Sequence, residues 1–322
     1  MGIYGLGKFL KWKVPQARHS IRLEQWCPGP NSQRQCGIDI SCILYRARGA
    51  GLSPLTVVAS LIVRLRQARV TPIVVFDGKP PAAKAEVVEQ RRTVRVAAHR
   101  EITELRALPE PTTEKERGER ENRVVELQKK APVVTGGERD EIKQFLYSCG
   151  VRFVTANGEA DDLLAFLARA GQLSAVITTD MDFLARGVPN VIVPETPDCS
   201  VLTLISLDAV LRALGLTQRQ FVEACQLMGS DYSPVGFQRM EPRAALSAAS
   251  AGVNWAAMDC SGELLRGVSL LAGDGVKWGD LVSEKQTQKW LLPLPPVEPA
   301  VIGMLAQREE WPTPWPAWLL SA

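Results

Sequence analysis

Three short apolar runs, each ending in an aspartate, constrain this chain more than any other feature. They are Gln35-Cys36-Gly37-Ile38-Asp39, Pro72-Ile73-Val74-Val75-Phe76-Asp77 and Ala175-Val176-Ile177-Thr178-Thr179-Asp180. Short runs rich in Val and Ile read as buried strands. Between them lie apolar patterns at helical spacing, over Leu55 to Arg69, Asp140 to Cys149 and Asp161 to Ala170. Strands alternating with helices predict an α/β domain with a mostly parallel sheet. Ligand sites in such sheets lie beyond the carboxyl ends of the strands, where these three aspartates fall.

Further carboxylates recur in the same manner. Glu159 and Asp161 open a helical pattern after the turn-like Ala156-Asn157-Gly158; Asp182 lies two residues past Asp180; Asp231 follows Leu227-Met228-Gly229-Ser230. Singly, each has a structural reading. Glu159 and Asp161 complement a helix dipole, Asp180 could cap a helix, and Asp231 could hold a turn. Gathered at one sheet edge they repel one another, and a hard, oxygen-seeking cation such as Mg²⁺ or Mn²⁺ resolves the repulsion. Two such ions ~3.5–4 Å apart clamp the attacking and leaving oxygens of a phosphoryl displacement. With only His19 and His99 and no CxxC pair, zinc is poorly supported. No GxxxxGK[ST] loop is present for an ATPase.

Composition excludes several classes. Over 322 residues, 23% charged and 46% hydrophobic is globular, neither disordered nor fibrous, and fits one large domain with an annex or two modest ones. The longest nearly apolar run, residues 54–63, is far short of the ~20 residues that cross a bilayer, so no membrane partner is expected. The N-terminal segment reads neither as a secretory signal nor as a myristoylation site. Seven cysteines without a CxxC pair suit a reducing, intracellular setting. The net charge is only +3, yet residues 1–48 hold eight Lys/Arg against two Asp/Glu. That excess reads either as a footprint for a polyanion or as ordinary solvated side chains. Residues 84–130 carry twelve Lys/Arg and ten Asp/Glu with a break at Leu108-Pro109-Glu110-Pro111. They read as two exposed helices inserted in the α/β domain, or as a solvated surface insertion. Beyond about residue 200 the pattern turns helical, and the end turns Trp- and Pro-rich, with Trp278, Trp290, Trp311, Trp315 and Trp318. Such a segment cannot be a helix interior; it reads as an extended strap packed along the domain more readily than as a surface docked on a partner.

The motifs, in order, resemble those of the flap endonuclease/XPG-like structure-specific 5′-nucleases. Met1-Gly2-Ile3-Tyr4-Gly5-Leu6 resembles the family's N-terminal signature. Gly37-Ile38-Asp39-Ile40-Ser41 resembles its first aspartate motif, and Val75-Phe76-Asp77-Gly78-Lys79-Pro80-Pro81 is nearly word for word its second. Gly158-Glu159-Ala160-Asp161, Thr179-Asp180-Met181-Asp182 and Leu227-Met228-Gly229-Ser230-Asp231-Tyr232 resemble the remaining acidic motifs. The resemblance implies a PIN-like 5′-nuclease fold over residues 1–245, with a gateway and arch at 84–130 and a helix–two-turn–helix region at 225–250. Residues 246–322 then form an extension packed on the domain.

Carried over residue by residue, it implies that Asp39, Asp77, Glu159 and Asp161 surround one Mg²⁺, with Asp180, Asp182 and Asp231 around a second; Mn²⁺ should substitute. Lys84 and Arg91 match two catalytic cations of the gateway, which would neutralise the scissile phosphate. Lys129 matches a basic residue facing the site from the base of the arch. Gly2 matches a residue approaching DNA, and Tyr45 a base-stacking tyrosine. The family's glycine-rich phosphate-hugging turn would fall at Gln238-Arg239-Met240, where no glycine stands, so Arg239 and Arg243 are the expected duplex contacts. The interval from Asp39 to Asp77 is short for the family, no sliding-clamp box is recognisable, and the compactness is similar to that of members from large DNA viruses. The implied activity is Mg²⁺-dependent cleavage of 5′-flap or branched DNA, with 5′-exonuclease activity, by a monomer acting in replication, repair or recombination. Its implied place is the nucleus or a site of viral DNA replication, although no nuclear-localisation signal is clear. An RNA endonuclease of the host-shutoff type shares the same fold and acids, and a lapsed enzyme that only binds branched DNA is the third reading.

Overall fold

The computed structural model describes residues 2–23, 26, 35–111, 113–233, 237–255, 263–283 and 286. A seven-stranded sheet of order β1-β7-β6-β5-β2-β3-β4 forms its centre. The strands are β1 (Arg18–Ile21), β2 (Gln35–Asp39), β3 (Thr71–Phe76), β4 (Arg152–Thr155), β5 (Ala175–Ile177), β6 (Asn190–Pro194) and β7 (Leu202–Ser206). β2 to β6 are mutually parallel, and β7 pairs antiparallel with both β6 and β1. The α/β expectation therefore holds. The helical reading beyond residue 200 is corrected at β7, where Leu-Thr-Leu-Ile-Ser forms a strand. Five residues of an antiparallel pair carry too little periodicity to separate strand from helix, and pairing with β6 decides.

Helices cover both faces. On one lie α2 (Ile40–Gly49), α3 (Pro54–Gln67) and α6 (Gly136–Ser148), burying Ile43, Leu61, Ile62 and Phe145. On the other lie α1 (Leu6–Lys13), α7 (Ala160–Arg169), α8 (Asp182–Ala185), α9 (Leu207–Leu214) and α10 (Gln218–Met228), burying Leu6, Leu164, Phe183 and Phe221. Each fully buried Leu, Ile or Phe side chain contributes about 1.5–3 kcal/mol, so the two layers fix where the strands end. Gly78 sets the edge itself. Its N–H donates to the Gly158 carbonyl at 2.7 Å, and a Cβ there would lie 1.9 Å from the Ala156 carbonyl oxygen. Only glycine lets the turn after β3 come so close to the turn after β4.

The insertion is two helices, α4 (Ala85–Ala107) and α5 (Glu114–Lys130). They enclose a small core of their own, Ala98, Ile102, Leu127 and Ala131, with a capping box between Thr113 and Glu116 and an Arg123–Glu101 ion pair at 2.7 Å. Exposed ion pairs of this kind contribute at most about 1 kcal/mol, so the arch rests mainly on its few apolar contacts. Beyond α10, α11 (Pro242–Ala251) runs across residue 245. Next, α12 (Glu263–Ala272) packs on α10, and α13 (Trp278–Leu281) sets Trp278 6.0 Å from Phe166. Of the expected Trp/Pro strap, Trp290, Trp311, Trp315 and Trp318 lie outside the described residues. Among the described residues no helix is long and apolar enough to cross a membrane.

Much of the N-terminal basic excess is used internally. Arg18 pairs with Glu195 at 2.5 Å and Lys11 with the same carboxylate at 3.6 Å; Arg46 donates to the Pro194 carbonyl and Arg48 pairs with Glu138. Lys8, Lys13 and Arg22 stay exposed, and Arg34 lies outside the described residues.

Candidate active site at the carboxyl edge of the sheet

The carboxyl ends of β2, β3 and β5 are neighbours, and the acids collect there. Asp39 closes β2 and caps α2. Its Oδ1 accepts from the Cys42 N–H at 3.3 Å and its Oδ2 from the Thr178 hydroxyl at 2.8 Å. Asp77 follows β3 and accepts the Ala160 N–H at 2.9 Å, tying the first turn of α7 to the strand. Glu159 and Asp161 stand at that positive helix end, so their dipole role and their place in the site coincide. The Asp180 N–H donates to Thr178 Oγ1 at 3.0 Å, and Asp180 Oδ1 accepts from the Asp182 N–H at 3.0 Å. Asp231, in the turn after α10, accepts from Arg91 Nη2 on both oxygens at 2.9 and 2.7 Å.

The charge is only partly compensated. Burial, joined by the nearby charge of Asp77, pushes the Asp39 carboxyl up to about 7 against the hydrogen bonds from Thr178 and Cys42. Burial, with Asp180 and Asp39, also raises Asp161; burial, with Asp180, raises Asp182 despite Lys84 and Arg186. Asp182 is wholly buried, and neither of its oxygens has a hydrogen-bond partner. An all-oxygen donor set with excess negative charge fits a hard divalent cation. Among the described residues, however, no three His, Cys, Asp or Glu side chains stand close enough to clasp an ion as they are placed. The charge excess is the weightier observation. A partly exposed carboxylate turns about its side-chain bonds at little cost, whereas an unpaired buried charge costs several kcal/mol.

Lys84 and Arg91 stand among these acids and pair with two of them, Glu159 and Asp231. Lys84 is only 4% exposed; its Nζ lies 2.7 Å from Glu159 Oε2, 3.9 Å from Asp231 Oδ2 and 4.6 Å from the centre of the Tyr232 ring. Burial alone would lower its pKa, but Glu159, with Tyr232 and Asp161, outweighs it and holds the ammonium above its ordinary value. Arg91 reaches Asp231 from α4, which links the arch to the sheet edge.

Gly2 lies against the same acids. At φ +83, a Cβ on it would stand 2.0 Å from Asp180 Oδ1 and 2.7 Å from Asp182 Oδ1. The other expected contacts are more remote. Tyr45 is half-buried and its hydroxyl accepts from Arg139 at 2.9 Å. Lys129 lies at the base of the arch, its carbonyl beside Gly49 at the far end of α2 from Asp39, about 15 Å along the helix axis. Arg239 and Arg243 are exposed, and Arg239 covers the Tyr4 ring at 5.2 Å. Residues 237–241 are neither helix nor strand and hold no glycine, while 234–236 before them lie outside the described residues. Sequence reasoning missed Thr178, which orients two of the acids, and the Arg186–Asp162 pair behind Tyr232. The signal for the pair was an arginine directly after Phe183-Leu184-Ala185, a run too apolar to lie at the surface.

Residues 1–98 match the family model of the XPG N-terminal domain and residues 150–231 that of the XPG I-region. All seven carboxylates, with Lys84 and Arg91, fall within these two segments. The chain belongs to the flap endonuclease/XPG-like nuclease family. Flap endonuclease 1 of Pyrobaculum aerophilum is 36% identical over 200 residues, 57% of this chain and 54% of that protein. The flap endonuclease-1 structure from Methanococcus jannaschii matches with a TM-score of 0.60 at 21% identity, over 90% of each chain. The catalytic core of Rad2 in complex with a DNA substrate matches with a TM-score of 0.62 at 19% identity, over 97% of this chain and 96% of that one. These likenesses establish the PIN-like fold of the family. The chain spans between about half and two thirds of the length of the first curated relatives it matches, 54% and 62%.

Proposed function

We propose that this chain hydrolyses phosphodiester bonds in 5′-flapped or branched DNA, using two Mg²⁺ ions. The observation that carries the reading is one edge of the sheet at which seven carboxylates gather and two of them, Glu159 and Asp231, pair with Lys84 and Arg91. Asp39, Asp77, Glu159 and Asp161 would hold one ion and Asp180, Asp182 and Asp231 the other. Bound there, the metal supplies Lewis-acid charge for the scissile phosphate and lowers the pKa of the attacking water.

The chain's own residues do the rest. Lys84, held by Glu159 and Tyr232 in a nearly dry pocket, presents a fixed ammonium to the phosphate as negative charge develops. Arg91 exchanges Asp231 for the phosphate and binds it with a planar pair of N–H donors. Gly2 leaves room at Asp180 and Asp182 that any side chain would fill. Lys8 and Lys13 on α1, with Arg239 and Arg243, extend a positive surface for the duplex arms, and the DNA-bound Rad2 core supports a DNA partner.

The test is cleavage of a labelled 5′-flap duplex by the wild type and by a variant carrying Asp180→Ala and Asp182→Ala. Equal rates sink the proposal. A panel of flap, bubble, gap, nick and RNA substrates then assigns the junction. Preferential cutting of RNA would reassign the substrate, and tight binding of branched DNA without turnover would mark a lapsed enzyme.

A further inference from the structure

A buried arginine sits directly behind this edge. Arg186, at the end of α8, is 1% exposed and pairs with Asp162 of α7 through Nη1. Its Nη2 donates to the Tyr232 hydroxyl at 2.9 Å. Because Arg186 occupies the oxygen's acceptor side, the Tyr232 hydroxyl donates onward, to Glu159 Oε2 at 3.2 Å. That same oxygen is the one Lys84 holds at 2.7 Å. The chain Asp162–Arg186–Tyr232–Glu159–Lys84 thus runs unbroken from the core to the acids of the sheet edge.

A full charge in such a place needs a reason. Arg186 follows Phe183 and Leu184 of the buried core, and its Nε has no partner. Burial lowers its basicity, but Asp162, Tyr232 and the acids Asp161 and Asp182 outweigh burial and keep it charged. A buried ion pair is commonly no more stable than a well-packed apolar pair of the same volume, so stability does not account for it. What the guanidinium provides that an apolar residue could not is direction. It fixes the phenol's donor toward Glu159, and so fixes which Glu159 oxygen is engaged and which is left for a ligand.

We infer that Arg186 is a positioning residue for the proposed reaction, orienting Glu159 and Lys84 through Tyr232 with Asp162 as its anchor. This rests on the nuclease reading for its catalytic consequence, but not for its effect on metal binding. The variants are Arg186→Lys, which keeps the charge and loses the two-pronged donor, Tyr232→Phe, which keeps the ring and loses the hydroxyl, and the two combined. Three readouts are needed: Mn²⁺ affinity without DNA, the single-turnover rate and KM on a 5′-flap duplex, and the denaturation midpoint in EDTA. Loss of an outer partner of this kind typically costs 10–100-fold in metal affinity or activity. Each single variant should therefore weaken Mn²⁺ binding and slow turnover by about tenfold or more, with KM and the midpoint little changed. The combined variant should be no worse than either one, because both break the same chain.

Wild-type Mn²⁺ affinity in Arg186→Lys overturns the inference, as do losses that multiply in the combined variant. A wild type that binds Mn²⁺ but leaves flap DNA uncut refutes the proposed substrate, and the affinities then decide Arg186 alone. Should Arg186→Lys fail to fold, Tyr232→Phe carries the same test, since it leaves the ion pair in place.

Discussion

Replacing Asp182 by asparagine should make the metal-free protein more stable while disabling it. The side chain is wholly buried, both oxygens lack partners, and the nearest acid, Asp180, repels it. An unsatisfied buried polar group costs roughly 1–3 kcal/mol, and more when charged. Asparagine removes the charge at nearly constant volume, and its amide can donate to Asp180. A gain of about 1–3 kcal/mol is expected, or a rise of about 2–6 °C in midpoint at the ~2 °C per kcal/mol typical of large domains. Chemical denaturation in EDTA measures the gain directly. With Mg²⁺ the ranking should reverse, since a ligand at 100 times its Kd stabilises the folded state by about 2.7 kcal/mol and the variant has lost a donor. Flap cleavage should fall more than about 100-fold, beyond the loss typical of an outer partner. An Asp182→Asn protein less stable than wild type in EDTA would refute the reasoning, because the site would then not be carrying uncompensated charge.

Gly2→Ala should slow single-turnover cleavage by about 100-fold, since a Cβ 2.0 Å from Asp180 Oδ1 forces a shift of about 1 Å where reacting groups meet. An unchanged rate would show that the N-terminus does not sit there during reaction. Gly78→Ala should cost about 3 kcal/mol or more in denaturant unfolding, because its Cβ would meet backbone at 1.9 Å and neither turn can retreat without losing the Gly78–Gly158 hydrogen bond. Ile102→Ala should destabilise the arch locally by roughly 2 kcal/mol. Hydrogen exchange should quicken in α4 and α5 while the β2, β3 and β5 amides keep their protection; uniform quickening would mean that the arch is not a separate unit of stability.

The acids themselves were legible residue by residue. Strand-length apolar runs place Asp39 and Asp77 at the sheet edge, where β2 and β3 do end, and the apolar pattern of α7 puts Glu159 and Asp161 at its start. The arch was legible as two helices because its charges interleave at helical spacing and its break carries two prolines. Less was legible where the chain is short or paired at a distance. The strands β1, β4 and β7 are as short as β2 and β5 but lack the apolar run closed by an aspartate that marked those two. The basic excess over residues 1–48 could not be divided from sequence into exposed charge and charge spent on Glu195 and Glu138.

By itself, then, the sequence determined the α/β class and the order of the acids along the chain, which follow from local periodicity and from which residue types sit next to one another. The expectation that Lys84 and Arg91 are the site's cations comes from the resemblance of the motifs, not from any period in the chain. Only the tertiary structure decided that Lys84 would be nearly dry against Glu159, that Gly2 would abut Asp180 and Asp182, and that Arg186 would reach Tyr232 from behind. Those contacts join residues 46 to 180 positions apart. Their energies depend on burial and on the direction of hydrogen bonds, which exist only once the sheet and its two helical layers have closed.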